Sequence, residues 1–551
     1  MKKTILFFLV IVLDVLCVWA QDISELLSQA QDFYEQGNYQ AAILKYTAVI
    51  SKDPNNKQAI MELGDSFLAM GDTSEAVSFF KKAIDLYPND LEGYRRLAYF
   101  YFYSNKFQES FDVLRKAYLK NQENPKAKAL YAVGYLIYGK EDSTKILVDQ
   151  LLKDKIDPQA FLILAEGYAS LEKYEKSIDF INKAIEIDSL NDLFFYLRSE
   201  YNLQLDKLDQ ALFDINKAID LNPRKIDYYL ALLSIYYSKQ DFFQASKKGK
   251  ELFYQVRDSN FYILVITAMW YNNEPIDTII KYLDEAIARI PAGSLWYLKG
   301  YILKENAKYD DAVIYFKKAL DKDPWDVDYT KEYILARLIA NSKGLNEDLY
   351  FKNYNSFNLK KLKNGVKRKK SKYNYFILLD KLSQDPLSLD LEEYLHLYVG
   401  VAIQKDYNPK QREKSYYYLD SLLEKKKYND LIVYSYKLLN NDPSNIAVYY
   451  FLSVVFYGLG NLEEFRENYA KYLGFVMAIR GTGDGQTRNT ALLSACSIDE
   501  IKVLYFLGYD QIFSERVEEQ YKGHFLKKYF IARDGQMFIY YFLTDLYKKR
   551  K

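Results

Sequence analysis

The side chains that most often carry catalysis or bind metals are scarce in this sequence. Its 551 residues include two histidines, His396 and His524, and two cysteines, Cys17 and Cys496. Neither histidine has a cysteine or second histidine at a metal-ligand spacing, and Cys496 lies in an apolar run typical of a buried, inert thiol. These residue types predict no catalytic group, no metal site and no cofactor, and therefore a protein that is not an enzyme.

A glycine-rich loop, containing Gly481, Gly483 and Gly485, could present backbone amides to an anion. A phosphate-binding loop continues into Lys-Ser or Lys-Thr, and this loop does not. We therefore interpret it as a flexible turn. Carboxylates are abundant along the chain, so a catalytic acid pair in the C-terminal part stays open as an alternative.

Composition indicates an ordered protein whose charges nearly cancel. Hydrophobic residues make up 49% of the chain and charged residues 27%, and the formal net charge is +1. A balanced charge gives no overall field that would attract nucleic acid, so no nucleic-acid partner is expected. The 55 tyrosines suit both helix packing with one polar edge and an exposed binding surface.

A repeated helical unit must position most of these side chains. In residues 57–90, small and apolar residues recur at helical spacing on either side of Gly71, and Pro88 stops the second helix. Gly64 lacks bulk where the two helices approach, and Phe80 fills the space between them. Six prolines mark the same end point at separations of 34, 70, 65, 68 and 33 residues: Pro54, Pro88, Pro158, Pro223, Pro291 and Pro324.

This pattern of about 34 residues resembles the tetratricopeptide repeat. One such hairpin cannot bury its apolar face, so copies must stack. The resemblance implies an α-solenoid of about nine hairpins over residues 21–342, in which Val327 to Ser342 forms an extra helix that covers the open end.

In this family the first helix of each hairpin lines the binding surface, which implies a set of candidate contact residues for a partner. They are Arg95, Tyr99, Tyr103, Tyr196, Glu200, Tyr237, Tyr297, Tyr301 and Lys304. Tyrosine offers contact area with little entropy lost on ordering, which favours a peptide or glycan ligand. The alternative is that these rings only complete the packing between neighbouring hairpins.

A basic segment follows the repeats. Helical periodicity lapses over residues 343–388, and we interpret this segment as an exposed linker. A site for anionic lipid, glycan or nucleic acid is the alternative, disfavoured because no aromatic stacking platform is interleaved with the cations. The cations are Lys360, Lys361, Lys363, Lys367, Arg368, Lys369, Lys370 and Lys372.

Residues 389–551 form a predicted C-terminal domain, helical to about residue 478 and α+β thereafter. The helical part includes a degenerate hairpin pair. Strands are predicted at Ala491–Ser497, His524–Ala532 and Met537–Leu543, with a helix at Asp499–Leu507 and a hairpin turn at Asp534-Gly535.

The glycine loop, Tyr407-Asn408-Pro409 and Ser497-Ile498-Asp499-Glu500 resemble an uncharacterised C-terminal domain family. That family occurs mainly on exported proteins of Bacteroidota, often together with tetratricopeptide repeats, and has no assigned activity. The resemblance therefore implies a location and no chemistry.

The first twenty residues predict a signal peptide. Lys2 and Lys3 precede a short apolar run, and Val18-Trp19-Ala20 predicts cleavage after Ala20. A retained anchor is disfavoured because Asp14 would lie inside a span too short for a bilayer. Lipid attachment at Cys17 is a further alternative, although the preceding leucine is larger than usual. We expect a mature chain without a transmembrane span, in the periplasm, at the cell envelope or outside a Gram-negative bacterium.

Together these features predict a mainly α protein, a tetratricopeptide-type solenoid followed by a small helical and α+β domain. The predicted function is an exported, non-enzymatic scaffold that binds a protein or peptide partner along the repeat groove. A glycan-binding or envelope-assembly accessory protein is one alternative, and an enzyme with a site in the C-terminal domain is another. The sequence leaves the oligomeric state and the role of that domain open.

Overall fold

The computed structural model describes residues 23–34, 39–153, 157–342, 345, 348–351, 359–509, 511–522, 524–533 and 536–548. The predicted signal peptide, with Cys17, lies outside these ranges. The chain forms two compact units, Met1–Glu251 and Leu252–Lys551, which we term unit 1 and unit 2. None of the described helices combines the length and the hydropathy needed to cross a bilayer.

Unit 1 consists of helices paired into hairpins. Most first helices begin at an Asn or Asp cap; the Asn56 side chain, for example, accepts the Ala59 N–H at 3.0 Å. The helices are α1 (23–34), α2 (Tyr39–Lys52), α3 (Lys57–Ala69), α4 (Thr73–Leu86), α5 (Leu91–Tyr103), α6 (Phe107–Lys120), α7 (Pro125–Ile137), α8 (Glu141–Lys153), α9 (Pro158–Ala169), α10 (Tyr174–Ile187), α11 (Asp192–Gln204), α12 (Leu208–Leu221), α13 (Ile226–Ser238) and α14 (Phe242–Leu252).

Small residues let the helices approach closely, as the sequence predicts. Gly64 lies so near the Phe80 ring that a Cβ atom there would overlap it, and Gly167 meets Val133 of the preceding hairpin in the same way. Ala76 and Phe80 are fully buried between the helices. The interior is therefore close-packed within and between hairpins.

A residue with positive φ marks the hairpin turns from α3/α4 onward. In unit 1 four of these residues are not glycine and have φ between 55° and 58°. The left-handed conformation ends the first helix and redirects the chain into the second. The positions recur every 33 or 34 residues, at Gly71, Asn105, Gly139, Glu172, Asp206 and Gln240.

Unit 2 begins with helices of the same kind. They are α15 (Ser259–Tyr271), α16 (Ile276–Arg289), α17 (Gly293–Glu305), α18 (Tyr309–Lys322) and α19 (Val327–Asn341). Asn273 and Ala307 supply the positive-φ turns, again 34 residues apart. Nine hairpins, α1/α2 to α17/α18, thus lie in the described part of the chain. The predicted mainly α, tetratricopeptide-type solenoid is confirmed.

The structure differs from the exposed linker predicted over residues 343–388. Two helices form there, α20 (Leu359–Lys367) and α21 (Tyr375–Gln384), followed by a short 3-10 turn at Pro386–Ser388. Each helix buries two leucine or valine side chains at a spacing of four residues, and this amphipathic signal was obscured by the many lysines of the segment. The buried residues are Leu362, Val366, Leu378 and Leu382.

The C-terminal part contains two further hairpins of the repeat type, as predicted. Lys426 and Gly460 have positive φ in the turns between the paired helices and are 34 residues apart. The helices are α22 (Leu391–Ala402), α23 (Pro409–Glu424), α24 (Tyr428–Asn441), α25 (Ile446–Gly458), α26 (Leu462–Arg480), α27 (Ser497–Phe506) and α28 (Asp545–Lys548).

A four-stranded sheet completes this part, in the order β1-β4-β3-β2. Its strands are β1 (Leu492–Leu493), β2 (Gln511–Tyr521), β3 (His524–Arg533) and β4 (Gln536–Leu543). β1 is parallel to β4, and the other pairs are antiparallel. Arg533 pairs with Gln536, so β3 and β4 form the predicted hairpin, although Asp534 and Gly535 lie outside the described residues. β2 was not predicted, because its charged sequence lacks the alternation expected of a strand.

Candidate partner-binding site

The first helices of successive hairpins in unit 1 border a cavity of about 680 Å³. We call the surface formed by α3, α5, α7, α9, α11 and α13 the first-helix face. The apolar lining of the cavity is Leu91, Leu130, Leu162, Ile163 and Leu193. Its polar and charged lining is Asn89, Asp90, Glu92, Arg95, Asn124, Lys126, Gln159 and Glu166. A cavity of this size with mixed lining accommodates side chains of a peptide.

Arg95, a predicted contact residue, lies in this cavity. Its Nη2 and Nε atoms each lie 2.8 Å from an oxygen of Glu92, and its Nη1 lies 3.4 Å from Glu166 Oε2. Burial raises the pKa of Glu166, while the Arg95 charge opposes this effect. Burial alone would also raise the pKa of Glu92, but hydrogen bonds and charge from Arg95 and Arg96 lower it to about 2. Arg95 therefore links α5 to α9, and its charge is offset by two carboxylates.

Arg96, which the sequence analysis did not select, links α5 to α3. It forms ion pairs with Glu62, at 3.3 Å, and with Asp65. Burial raises the pKa of Asp65 to about 6 despite the nearby guanidinium. A smaller cavity of about 240 Å³ lies beside Arg96 and Glu62. Arg96 follows Arg95 directly on α5, but its ionic partners Glu62 and Asp65 come from another repeat and were not visible in the sequence.

Tyr99 and Tyr103 follow Arg95 along α5 and differ in environment. The Tyr99 hydroxyl is shielded from solvent and has no hydrogen-bond partner within the described ranges. Burial raises the pKa of Tyr99, and the Arg95 guanidinium lies 5.6 Å from its ring centroid. Tyr103 is 72% exposed. Arg95 and Tyr99 are thus brought together, whereas Tyr103 offers an exposed ring.

Farther along the first-helix face, the predicted tyrosines combine packing with partial exposure. The Tyr196 ring lies 5.0 Å from Tyr228, and the Tyr237 ring meets Phe242 edge-on at 5.3 Å. Glu200, one turn after Tyr196 on α11, is half-buried and has no ion pair or hydrogen bond among the residues that the structure describes. Burial raises the pKa of this carboxylate.

In unit 2, the predicted residues Tyr297, Tyr301 and Lys304 all lie on α17. The partly buried Tyr297 packs between Phe316, at 5.6 Å, and Tyr329, at 5.0 Å. Lys304 Nζ lies 2.8 Å from Glu332 Oε2 and 4.6 Å from the Tyr301 ring centroid. Tyr301 is 39% exposed.

The two histidines contact other side chains of this chain, and Cys496 is buried in its interior. His396 is buried, its ring stacks on Tyr373 at 3.8 Å, and burial lowers its pKa. His524 Nδ1 lies 2.6 Å from Asp545 Oδ2. Cys496 is fully buried, and burial raises its pKa well above the usual range. Within the described ranges, no group of three His, Cys, Asp or Glu side chains could hold a metal ion.

The glycine loop differs from the flexible turn that we predicted. The Gly485 N–H donates to the Thr490 carbonyl at 2.8 Å, and the Gly485 carbonyl accepts the Tyr541 N–H at 2.7 Å. Gly481, Gly483 and Gly485 are buried. At Gly483 a Cβ atom would collide with the Thr490 carbonyl oxygen. The glycines are needed for close backbone packing, and the loop joins α26 to the sheet as a fixed element.

Sequence reasoning missed a buried polar cluster in unit 2. Arg412 donates to Asp442 at 2.7 and 2.6 Å, to Asp499 Oδ2 at 2.5 Å and to Ser444 at 3.0 Å. The Tyr398 hydroxyl also donates to Asp499 Oδ2, at 2.7 Å. Two carboxylates therefore converge here, but on a guanidinium in a packed interior, which ties α22, α23 and α27 together.

The comparisons with known proteins follow the same division of the chain. Residues 27–90, 67–134, 158–189 and 293–324 match the family described as Tetratricopeptide repeat. These parts of the chain are tetratricopeptide repeats, and proteins with such repeats in general mediate protein–protein interaction. Residues 360–549 match the family described as Domain of unknown function (DUF4919), and the C-terminal part of the chain belongs to that family.

Solved structures and one curated protein are similar to parts of the chain. A tetratricopeptide repeat protein from Parabacteroides merdae ATCC 43184 is 15% identical over 57% of this chain and 99% of its own, with a TM-score of 0.26. A thermophilic repeat protein from Thermus thermophilus is 22% identical over 33% of this chain and 98% of its own, also with a TM-score of 0.26.

The curated relative is a tetratricopeptide repeat and J domain-containing co-chaperone of Fusarium oxysporum f. sp. lycopersici. It is 33% identical over 66 residues, which is 12% of this chain. The matched segment spans 13% of the length of that relative.

Proposed function

We propose that this protein is an exported, non-enzymatic scaffold that binds a segment of a protein partner on the first-helix face of unit 1. The observation that carries the proposal is the cavity of about 680 Å³ bordered by α5, α7, α9 and α11. Burial of a partner's apolar side chain against Leu162 and Ile163 would supply affinity, and the charged lining would fix its orientation.

A carboxylate farther along the first-helix face favours a partner segment that carries a basic group. Arg95 and Arg96 are already paired with carboxylates on neighbouring helices. Glu200 lacks such a partner within the described ranges, and burial raises its pKa. A lysine or arginine of the partner would compensate this carboxylate, because an opposite charge nearby stabilises an ionised group that burial destabilises.

Export is proposed from the sequence of the N-terminus, with two lysines, a short apolar run and small residues before the expected cleavage after Ala20. The compartment would be the periplasm or the cell envelope. N-terminal sequencing of the protein recovered from cell fractions tests this step. A mature chain that begins at Gln21 in the envelope fraction is expected, and an uncleaved chain in the cytosolic fraction contradicts it.

Site-specific photo-crosslinking tests the binding surface. Gln159 lines the cavity, whereas Gln108 is exposed on α6, a second helix, and serves as the matched position. With a photoreactive amino acid at each position in the native host, we expect a discrete adduct from position 159 and none from position 108. Purified partner should then bind the unmodified chain and lose affinity for the cavity-filling variant Gln159→Trp, but not for Gln108→Trp.

Equal crosslinking from both positions would contradict the proposal, because it would show contact without a preferred surface. Binding that is unaffected by Gln159→Trp, in a variant whose circular dichroism matches the wild type, would do the same.

A further inference from the structure

The most uneven charge distribution in the chain lies where the repeats meet the C-terminal family domain. Between Asp348 and Asp380 there are nine basic residues and no acidic one, although the whole chain has a net charge of only +1. Seven described cations of this region are exposed, and we call six of them, all but Lys361, the basic patch. They are Lys360, Lys367, Arg368, Lys369, Lys370 and Lys372.

The basic patch is presented by ordered backbone. Leu362 and Val366 hold α20 to the core, with exposed fractions of 8% and 3%, whereas Lys360 and Lys367 near the two ends of this helix are exposed. The turn that follows is closed by the Arg368 carbonyl, which accepts the Ser371 N–H at 3.0 Å and the Asn374 Nδ2 at 3.3 Å.

The Tyr373 side chain anchors this turn to α22. Its hydroxyl donates to Glu392 Oε2 at 2.7 Å, and its ring stacks on His396. The cations are therefore held close together despite their mutual repulsion, an arrangement that costs free energy unless an anionic surface compensates it.

The carboxylates at the start of α22 are committed to other groups. Glu392 accepts the Tyr373 hydroxyl, and Glu393 pairs with Lys381 at 2.5 Å while it also accepts the Asp390 N–H. Within the described ranges, Lys367, Arg368, Lys369 and Lys370 form no ion pair. The positive charge of the patch is thus available to a partner.

Two large apolar side chains lie beside the basic patch. Phe376 is 73% exposed and Ile377 is 50% exposed, both in the first turn of α21, immediately after the anchored turn. Single exposed apolar residues are common, but an adjacent aromatic and aliphatic pair next to a cluster of cations is the combination found on surfaces that lie on membranes.

We propose that the basic patch and its apolar pair dock the protein peripherally on an anionic phospholipid surface. The cations contact lipid phosphates, and Phe376 and Ile377 insert among the acyl chains near the headgroups. A nucleic acid or an acidic glycan would neutralise the charge of the cations, but it offers no apolar layer into which Ile377 could insert. The scaffold would in this way hold its bound partner at a membrane without a spanning helix.

Vesicle co-sedimentation of the full chain tests the proposal. We expect binding to phosphatidylcholine vesicles that contain phosphatidylglycerol, weak binding to pure phosphatidylcholine, and a loss of binding as salt is raised. Because each cation near an anionic surface strengthens binding about fivefold, K367Q/R368Q/K369Q/K370Q should weaken it by more than about a hundredfold.

Two further variants separate the contributions. F376S/I377S keeps every charge and should weaken binding about tenfold through lost insertion. K81Q/K116Q/K120Q/K217Q removes the same number of charges from exposed positions on α4, α6 and α12 and should bind like the wild type. All variants retain the same N-terminal segment, so its contribution cancels.

If K81Q/K116Q/K120Q/K217Q lost as much vesicle binding as the patch variant, the proposal would be overturned, because binding would then depend only on the net charge of the protein. Unchanged binding in either patch variant would overturn it as well. A single-stranded oligonucleotide that binds the chain, competes with vesicles and is indifferent to F376S/I377S would reassign the patch to nucleic acid.

Discussion

Replacement of Asp499 by asparagine should remove a pH dependence that is built into the C-terminal domain. Asp499 is fully buried, and its Oδ2 accepts from Arg412 and from Tyr398, while its Oδ1 has no hydrogen-bond partner within the described ranges. Arg412 is shared with Asp442. One guanidinium between two carboxylates leaves a net negative charge in the interior, and burial raises the pKa of Asp499 from 3.8 to about 6.

The sign and size of the effect follow from this shift. Between pH 4 and pH 6 the folded chain retains the Asp499 proton and the unfolded chain does not, so stability falls as pH rises. One pKa unit corresponds to about 1.4 kcal/mol, so a shift of about two units corresponds to about 3 kcal/mol of lost stability across this interval. Asp499→Asn does not titrate, so this part of the pH profile should disappear in the variant.

Hydrogen exchange measured by mass spectrometry gives a local readout in a chain of two units. After correction for intrinsic rates, the opening free energy of peptides over α27 should fall by about 3 kcal/mol more in the wild type than in Asp499→Asn between pH 4 and pH 6. Asp406→Asn, at an exposed position after α22, is the matched control and should follow the wild type. Parallel pH profiles for wild type and Asp499→Asn would refute the reasoning.

Two further predictions concern unit 2. Ala307 has φ 56° in the α17/α18 turn, so Ala307→Gly should relieve left-handed strain and raise the unfolding free energy by about 1 kcal/mol in urea denaturation. Lys502 is 5% exposed and surrounded by aromatic rings, and burial lowers its pKa to about 8. Because the unfolded chain retains this proton up to about pH 10.5, stability should rise by about 3 kcal/mol between pH 8 and pH 10.5, and Lys502→Met should abolish the rise.

Control measurements distinguish the predicted effects of Ala307→Gly and Lys502→Met from effects that any similar substitution or pH change would have. Ala288 is exposed inside α16, where a glycine costs helix propensity, so Ala288→Gly should be destabilising. A stabilising Ala288→Gly would contradict the account of Ala307. For Lys502, the difference between wild type and variant at each pH removes the contribution of the tyrosines, and a pH-independent difference would contradict it.

The repeats were predictable because their constraints are local. Gly64 and Phe80 meet within one hairpin, and Pro88 ends it, so spacing along the chain reports the contact directly. The positive-φ residues obey the same period, but at Glu172 and Ala307 the side chain gives no sign of a left-handed backbone. The period was visible in the sequence, and the turn conformation was not.

The candidate site was less predictable because its geometry depends on contacts between repeats. Helical spacing correctly grouped Arg95 with Tyr99 on one helix, but Glu166, which pairs with Arg95, lies 71 residues later. The partly buried Tyr297 likewise packs against Phe316 and Tyr329 of neighbouring helices, contacts that its own helix does not reveal. Exposure is decided by the neighbouring repeat, and a single sequence does not specify it.

In unit 2, helix α19 contributes side chains both to the core of the last repeat and to the core of the C-terminal domain. This shared helix limits what a truncation of the domain can show. Ala336 of α19 shares a core with Leu303 and Phe316 of the last repeat. Ile334 and Leu338, on the same helix, belong to the core of the C-terminal domain. A truncation near Ser342 would expose that apolar face of α19, so a loss of partner binding would report damage to the repeats as readily as a role for the domain. Substitutions at exposed positions, such as those in the basic patch, leave both cores intact and separate the two explanations.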